Sequence, residues 1–187
     1  RVITLGGTIA MASSGGGLTP ALGAGDLAGS LASGDPGLRV DWADFLQVPS
    51  ANLTFADLVR LAAEIERLHG EGYHGVVVSQ GTDSLEETAF ALELLVAAPI
   101  DVALTGAMRG STTPGADGPA NLLGALRFLS GSAGTGEVVV AIDDCVHAAR
   151  LVSKSHTTAL SAFTSGEAGL RGRIHELRFL PLYPARA

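Results

Sequence analysis

The stretch Val76-Val77-Val78-Ser79-Gln80-Gly81-Thr82-Asp83-Ser84-Leu85-Glu86-Glu87 changes character twice. Three consecutive valines make a short apolar run of the kind that suits a strand buried on both faces of a sheet. Gly81 then permits a sharp turn. Ser84 with Glu87 reads S-x-x-E, which predicts a capping box opening a helix over Leu85–Val96, with Pro99 beyond its end. Strand, glycine turn and helix start follow one another with nothing to spare, so the hydroxyl- and acid-bearing residues fall in the turn.

The same grammar repeats outward. Nearly continuous apolar runs occur at Val2–Leu5, Ile100–Leu104 and Glu137–Ile142. Between them lie helical patterns. Leu58, Leu61, Ala62, Ile65 and Leu68 recur at spacings of three and four, and Thr54 suits the N-cap of that helix. Gly118-Pro119 opens another helix through Leu129, with proline in the first turn where its missing N–H costs nothing. A shorter helix is predicted over Asp26–Ala32. Arg178 onward reads as a last strand. Strands alternating with helices imply βαβ crossovers. The expected fold is therefore an open, mostly parallel α/β sheet in three layers, with helices on both faces and no internal repeat. Ligands in such sheets sit beyond the carboxyl ends of the strands.

Composition narrows the function classes. The chain has 187 residues, 47% of them hydrophobic, which is one ordinary domain. No apolar run approaches the ~20 residues of a membrane helix; Ile100–Leu104 is interrupted by Asp101. The net charge of −7 and the pI near 5.1 disfavour nucleic-acid binding driven by phosphate neutralisation. The single cysteine, Cys145, makes neither an internal disulfide nor a thiolate zinc site, and the five histidines include no H-x-x-x-H pair. No metal is expected. Gly23-x-Gly25-x-x-Ala28 fits a loose dinucleotide fingerprint but follows no strand, so it carries no weight. One cysteine and no visible signal peptide point to the cytoplasm.

The loops after the strands hold the candidate chemistry. Thr8 follows Gly6-Gly7, and Thr82 follows Gly81, each at the end of a buried strand. Either hydroxyl suits a turn or cap; either attacks a carbonyl if a base takes its proton. Asp83 falls near a helix N-terminus, where a carboxylate is favoured, and reads as a second cap or as a receptor for a ligand ammonium. Lys154 is the chain's sole lysine against eleven arginines. Arginine keeps its proton in proteins, whereas a lysine sheds its own when burial lowers its pKa, so Lys154 reads as a solvated surface lysine or as the candidate base. His156 reads as a hydrogen-bonded structural residue, and Arg109 with Asp117 as an ion pair or helix cap. Met11–Pro20, with Gly15, Gly16 and Gly17, reads as a lid or a flexible connection.

Taken together these segments resemble the bacterial-type L-asparaginase/glutaminase family. Thr4-Leu5-Gly6-Gly7-Thr8-Ile9-Ala10 looks like its first threonine signature, and Ser79 through Ala89 like its second. Gly106-Ala107-Met108-Arg109, Asp117-Gly118-Pro119-Ala120-Asn121 and Lys154-Ser155-His156-Thr157-Thr158 match further family segments in the same order. The resemblance implies that residues 1–187 are the family's flavodoxin-like N-terminal domain, without the smaller C-terminal domain. It implies hydrolysis of the side-chain amide of L-asparagine, and of L-glutamine to some extent, without a cofactor. Carried over, Thr8 is the nucleophile, and Thr82, Asp83 and Lys154 form a second triad. Asp83 also holds the substrate ammonium, Ser50 the α-carboxylate, and Thr82 N–H and the Ala107 backbone the scissile amide.

A homotetramer is implied as well. An ammonia-releasing amidotransferase subunit and a non-catalytic ligand-binding module are the alternatives. The sequence departs from the family pattern at three places. The lid tyrosine is missing, since the tyrosines are Tyr73 and Tyr183; the usual Ser-Gln pair is Ser50-Ala51; and the smaller C-terminal domain is absent, so the chain reads as a fragment, which the ending at Pro184-Ala185-Arg186-Ala187 favours, or as a short form.

Overall fold

The computed structural model describes residues 1–6 and 38–184, together with the backbone of residues 11–14 and 17–20. Thr8 and the helix expected over Asp26–Ala32 lie outside the described residues. Eight strands among those described form one sheet. In chain order they are Val2–Thr4 (β1), Trp42–Asp44 (β4), Gly75–Ser79 (β5), Asp101–Thr105 (β6), Val138–Ile142 (β7), Cys145–Ala148 (β8), Gly172–His175 (β11) and Arg178–Pro181 (β12). Two ribbons stand apart from it: Met11–Ser14 (β2) with Gly17–Pro20 (β3), and Ser153–Lys154 (β9) with Phe163–Thr164 (β10). The glycine-rich stretch read as a lid or loose connection thus contains an antiparallel pairing, Met11 opposite Pro20 and Ser14 opposite Gly17.

Across the sheet the order is β12-β11-β8-β7-β6-β5-β1-β4. The five strands from β7 to β4 are parallel, and β8, β11 and β12 extend the sheet antiparallel. Every residue from Val76 to Ser79 and from Asp101 to Thr105 is buried, because helices cover both faces. Side chains alternate across a strand. Val76, Val78, Val102, Leu104, Val138 and Val140 accordingly pack on one side with Phe55–Gly70 (α1) and Leu85–Leu95 (α2), through Leu61, Ile65, Leu85 and Leu92. Val77, Ala103, Val139 and Ala141 pack on the other with Gly118–Gly131 (α3), through Leu122, Ala125 and Phe128. The mostly parallel three-layer sheet expected from the sequence is what forms.

Helix starts show where local rules hold and where tertiary contacts override them. At α1 the Thr54 hydroxyl accepts from Asp57 N–H while the Asp57 carboxylate accepts from Thr54 N–H, a reciprocal cap. The Thr54 hydroxyl, chiefly, holds the Asp57 carboxyl down to about 2. At α2 the expected capping box does not form. Ser84 has φ −125° and ψ 26°, outside the extended geometry a cap uses, and its hydroxyl donates instead to the Ser50 carbonyl at 2.8 Å. A 3₁₀ turn, Thr82–Ser84, leads straight into the helix. A long-range acceptor has taken the side chain that local spacing assigned to the helix.

Candidate active site

β1 is flanked by β4 on one side and β5 on the other, so the chain steps from β1 to β4 in one direction and from β4 to β5 in the other. That reversal opens a crevice beyond the carboxyl ends of β1 and β5. The loop after β5 enters it. Gln80 N–H donates to the Thr105 carbonyl at 3.1 Å, carrying sheet pairing one residue past the strand. Gly81 then packs against Ser50: a Cβ there would lie 2.7 Å from Ser50 Oγ. Gly106, at the end of β6, is equally confined, since its Cβ would meet the Gln80 carbonyl oxygen at 2.7 Å and Thr82 Cγ2 at 3.0 Å. Thr82 is buried, between these two glycine contacts.

Three of the sequence-predicted residues converge there. Lys154 Nζ donates to Thr82 Oγ1 at 2.9 Å and to Asp83 Oδ1 at 2.9 Å. The lysine side chain is 14% exposed, while that of Asp83 is 74% exposed. The amine therefore touches a shielded hydroxyl on one side and an open carboxylate on the other. An amine within hydrogen-bond reach of a hydroxyl is placed to take its proton, and an exposed carboxylate is placed to receive a ligand's ammonium group.

Ser50 comes to the same crevice from the 3₁₀ turn Ser50–Asn52. The segment before it is tied to β1, with Phe45 and Leu46 N–H donating to the Thr4 carbonyl and Val48 N–H to that of Leu5. Ser50 Oγ accepts from Asp83 N–H at 3.2 Å. Its own proton remains available for a ligand acceptor, since a hydroxyl donates one bond while accepting others. Ala51 and Asn52 beside it are exposed.

Ala107 is buried, in a loop that two further side chains hold. Asn121 Nδ2 donates to the Gly106 carbonyl at 3.0 Å and to Asp117 Oδ2, and Asn121 Oδ1 accepts from Asp143 N–H. The Asp117 carboxylate accepts the N–H groups of Met108 and Arg109, each at 2.9 Å. Arg109 and Asp117 are thus neither an ion pair nor a helix cap. The Arg109 guanidinium goes to the Gly115 carbonyl, and Asp117, standing at the N-cap of α3, makes no side-chain cap bond. The backbone it serves lies across the loop instead. Asn121 had no role assignable from spacing, because the groups it serves besides Asp117, the Gly106 carbonyl and Asp143 N–H, lie 15 and 22 positions away.

His156 has the structural part expected of it, its Nδ1 accepting from Thr158 and Ala159 N–H. His147, buried on β8, has Nδ1 2.8 Å from Ser165 Oγ, just beyond β10. Burial pushes its imidazole down to about 4, and the Arg173 charge pushes the same way. Cys145 is half-buried, and burial pushes its thiol up, away from the reactive thiolate. Among the described residues no group of three His, Cys, Asp or Glu side chains is placed to hold a metal. No described helix is long and apolar enough to cross a membrane.

Comparison with known proteins finds relatives of the chain. The family model described as asparaginase, N-terminal, matches residues 1–181. A "Probable L-asparaginase" of Deinococcus radiodurans is 42% identical over 177 residues, covering 92% of this chain and 52% of the relative. A glutaminase-asparaginase of Acinetobacter glutaminasificans is 39% identical over 122 residues, 64% of this chain and 37% of the relative. The crystal structure of a "Probable Cytoplasmic L-asparaginase" from Campylobacter jejuni superposes with a TM-score of 0.87 at 32% identity, covering 99% of this chain and 58% of that one. The chain thus spans about a third to a half of the length of the curated relatives it matches.

Proposed function

The chain belongs to the asparaginase N-terminal family, and from that premise we propose that it is the catalytic domain of an L-asparagine amidohydrolase. The observation that carries the reading is the Lys154 amine held 2.9 Å from both Thr82 Oγ1 and Asp83 Oδ1. An amine beside a hydroxyl and a carboxylate at one strand end supplies a base and an ammonium receptor for side-chain amide hydrolysis, with Thr8 as the nucleophile.

Substrate L-asparagine enters with its α-ammonium on Asp83 and its α-carboxylate on the Ser50 hydroxyl. Its side-chain amide lies against Thr82 and the backbone of Ala107. Thr8 Oγ attacks the amide carbon, a tetrahedral oxyanion forms against Thr82 N–H and the Ala107 loop, and as the C–N bond breaks the proton given up by the Thr8 hydroxyl passes to the nitrogen, which leaves as ammonia. Fixed dipoles aimed at developing charge are usually a large catalytic contribution. Water then attacks the acyl-threonine, its proton passing by way of Thr82 and Lys154 to Thr8 Oγ as the ester bond breaks, and L-aspartate departs with Thr8 restored. L-Glutamine, one methylene longer, is the expected secondary substrate, in keeping with the name of the Acinetobacter relative. No cofactor takes part in this scheme.

Residues 1–187 serve as the family's N-terminal domain in this reading, in a homotetramer located in the cytoplasm; the name of the Campylobacter relative supports the compartment. Ammonia release from asparagine and glutamine by the full-length, assembled protein tests the activity. Thr8→Ala, Thr82→Val and Lys154→Met are each expected to lower turnover by about 10²–10⁴-fold. Release that survives all three substitutions would refute the assignments. A folded protein that releases none from either amide would be a ligand-binding module instead.

A further inference from the structure

Lys154 reaches Thr82 from outside the main sheet. Its strand, β9, has two residues and pairs with the two-residue β10, and that ribbon is not hydrogen-bonded into the eight-stranded sheet. Thr82 and Asp83, by contrast, follow directly from central strand β5. Something must hold the lysine backbone in register with the β5 loop, because its four-carbon stem has many rotamers.

Glu86 Oε2 accepts the backbone N–H of Lys154, across 68 positions of sequence. Glu86 lies in the first turn of α2, three residues after Asp83, and is half-buried. An acid in a first helical turn is ordinarily a solvated side chain favoured by the helix dipole. Here the carboxylate is committed to another element. The segment 82–86 therefore grips one residue at both ends: Thr82 and Asp83 hold the Lys154 amine, and Glu86 holds its backbone. Phe163 and Ala162, buried in the core, secure the far side of the ribbon by packing, and Val152 the approach to β9, while Glu86 is what holds the Lys154 N–H itself.

We propose that Glu86 is a positioning residue for the amide hydrolysis, fixing the Lys154 backbone so that its amine meets Thr82 and Asp83 together. This rests on the reading of Lys154 as the base. A misplacement of about 1 Å in such a group costs on the order of 100-fold in rate. Glu86→Ala is expected to lower kcat for asparagine about 10–100-fold while leaving KM within about threefold, since Glu86 holds the base and not the substrate. Glu86→Asp keeps the charge at the helix start but withdraws the oxygen by one methylene, and is expected to behave like Glu86→Ala. Glu86→Gln keeps a carbonyl acceptor at full reach and is expected to stay within about threefold of wild type.

Lys154 is the sole lysine of these 187 residues, and in protein labelled with 13C-lysine its side-chain signal, identified by its loss in Lys154→Met, reports on this residue without any turnover. That signal is expected to shift in Glu86→Ala and Glu86→Asp and to stay in place in Glu86→Gln. Wild-type kcat in folded Glu86→Ala or Glu86→Asp overturns the proposal, as does a Glu86→Gln variant as impaired as the other two. A wild-type protein that releases no ammonia defeats the activity reading, and the labelled lysine then still decides whether Glu86 places Lys154: an unmoved signal in all three variants says it does not.

Discussion

The loop after β5 and the ribbon of β9 and β10 bring their groups to the same point by different physical means. Thr82 is mounted on backbone. Its strand is buried between β1 and β6, Gln80 N–H still pairs with Thr105, and Gly81 and Gly106 allow contacts that a Cβ would block. Lys154 is mounted on side chains. Its ribbon rests on the core packing of Val152, Ala162 and Phe163, on Glu86 at one end and, at the other, on the bond between His147 and Ser165, next to Thr164. A central strand end has little freedom left to lose, so it defines the site. A ribbon secured by side chains keeps more freedom and can be loosened residue by residue.

Breaking the backbone mount should have the largest effect. In Gly106→Ala the new Cβ meets a main-chain oxygen at 2.7 Å, and backbone gives way less readily than a flexible side chain. Loss of at least about tenfold in asparagine turnover is expected, with a lower thermal midpoint, because the Gln80–Thr82 backbone must move. Kinetics and thermal unfolding on the same preparation check it; wild-type values for both would show that the glycine contact is slack.

Asn121→Ala sharpens the comparison from the neighbouring loop. It strips a partner from the buried Gly106 carbonyl and from Asp143 N–H in an exposed residue, and an unsatisfied buried group costs about 1–3 kcal/mol. Denaturant unfolding should register a loss of that order, and turnover should fall less than in Gly106→Ala because the Gln80–Thr82 backbone is not itself displaced. Equal stability in variant and wild type would mean that water replaces the amide fully.

The ribbon's far anchor gives the smallest effect, and one that depends on pH. His147 ionises near 4 in the folded protein and near 6.5 when unfolded. Its neutral form is the folded one, so the unfolded chain binds the extra proton between these values. Its contribution to stability is therefore complete above about pH 6.5 and lost as pH falls toward 4. The thermal midpoint of wild type should fall across that window, and that of His147→Gln should fall less. Parallel curves for the two proteins would remove His147 from the account.

Much of this was legible in the sequence because it follows from local rules. Valine runs buried on both faces, helix stripes at spacings of three and four, and the Thr54 cap each depend on a few neighbouring residues. Thr82, Asp83 and Lys154 were identifiable by chemical type: two beside a glycine at a strand end, and one the sole lysine of the chain. Local spacing misled at Ser84, whose hydroxyl serves Ser50 instead of its own helix, and at Asp117, whose carboxylate serves two amides of another loop. It was silent on Glu86 and Asn121, because neither residue type announces a partner many positions away.

The sequence by itself determined the kinds of element, their order and the chemical inventory, since propensity, periodicity and acid–base character belong to a residue and its near neighbours. Only the tertiary structure decided which groups meet. The distance of 2.9 Å between Lys154 and Thr82 spans 72 positions of chain. It is set by the stacking of strands in the sheet and by side chains such as Glu86 that bind one element to another. Those are long-range choices, settled by which partners desolvate together as the whole chain packs.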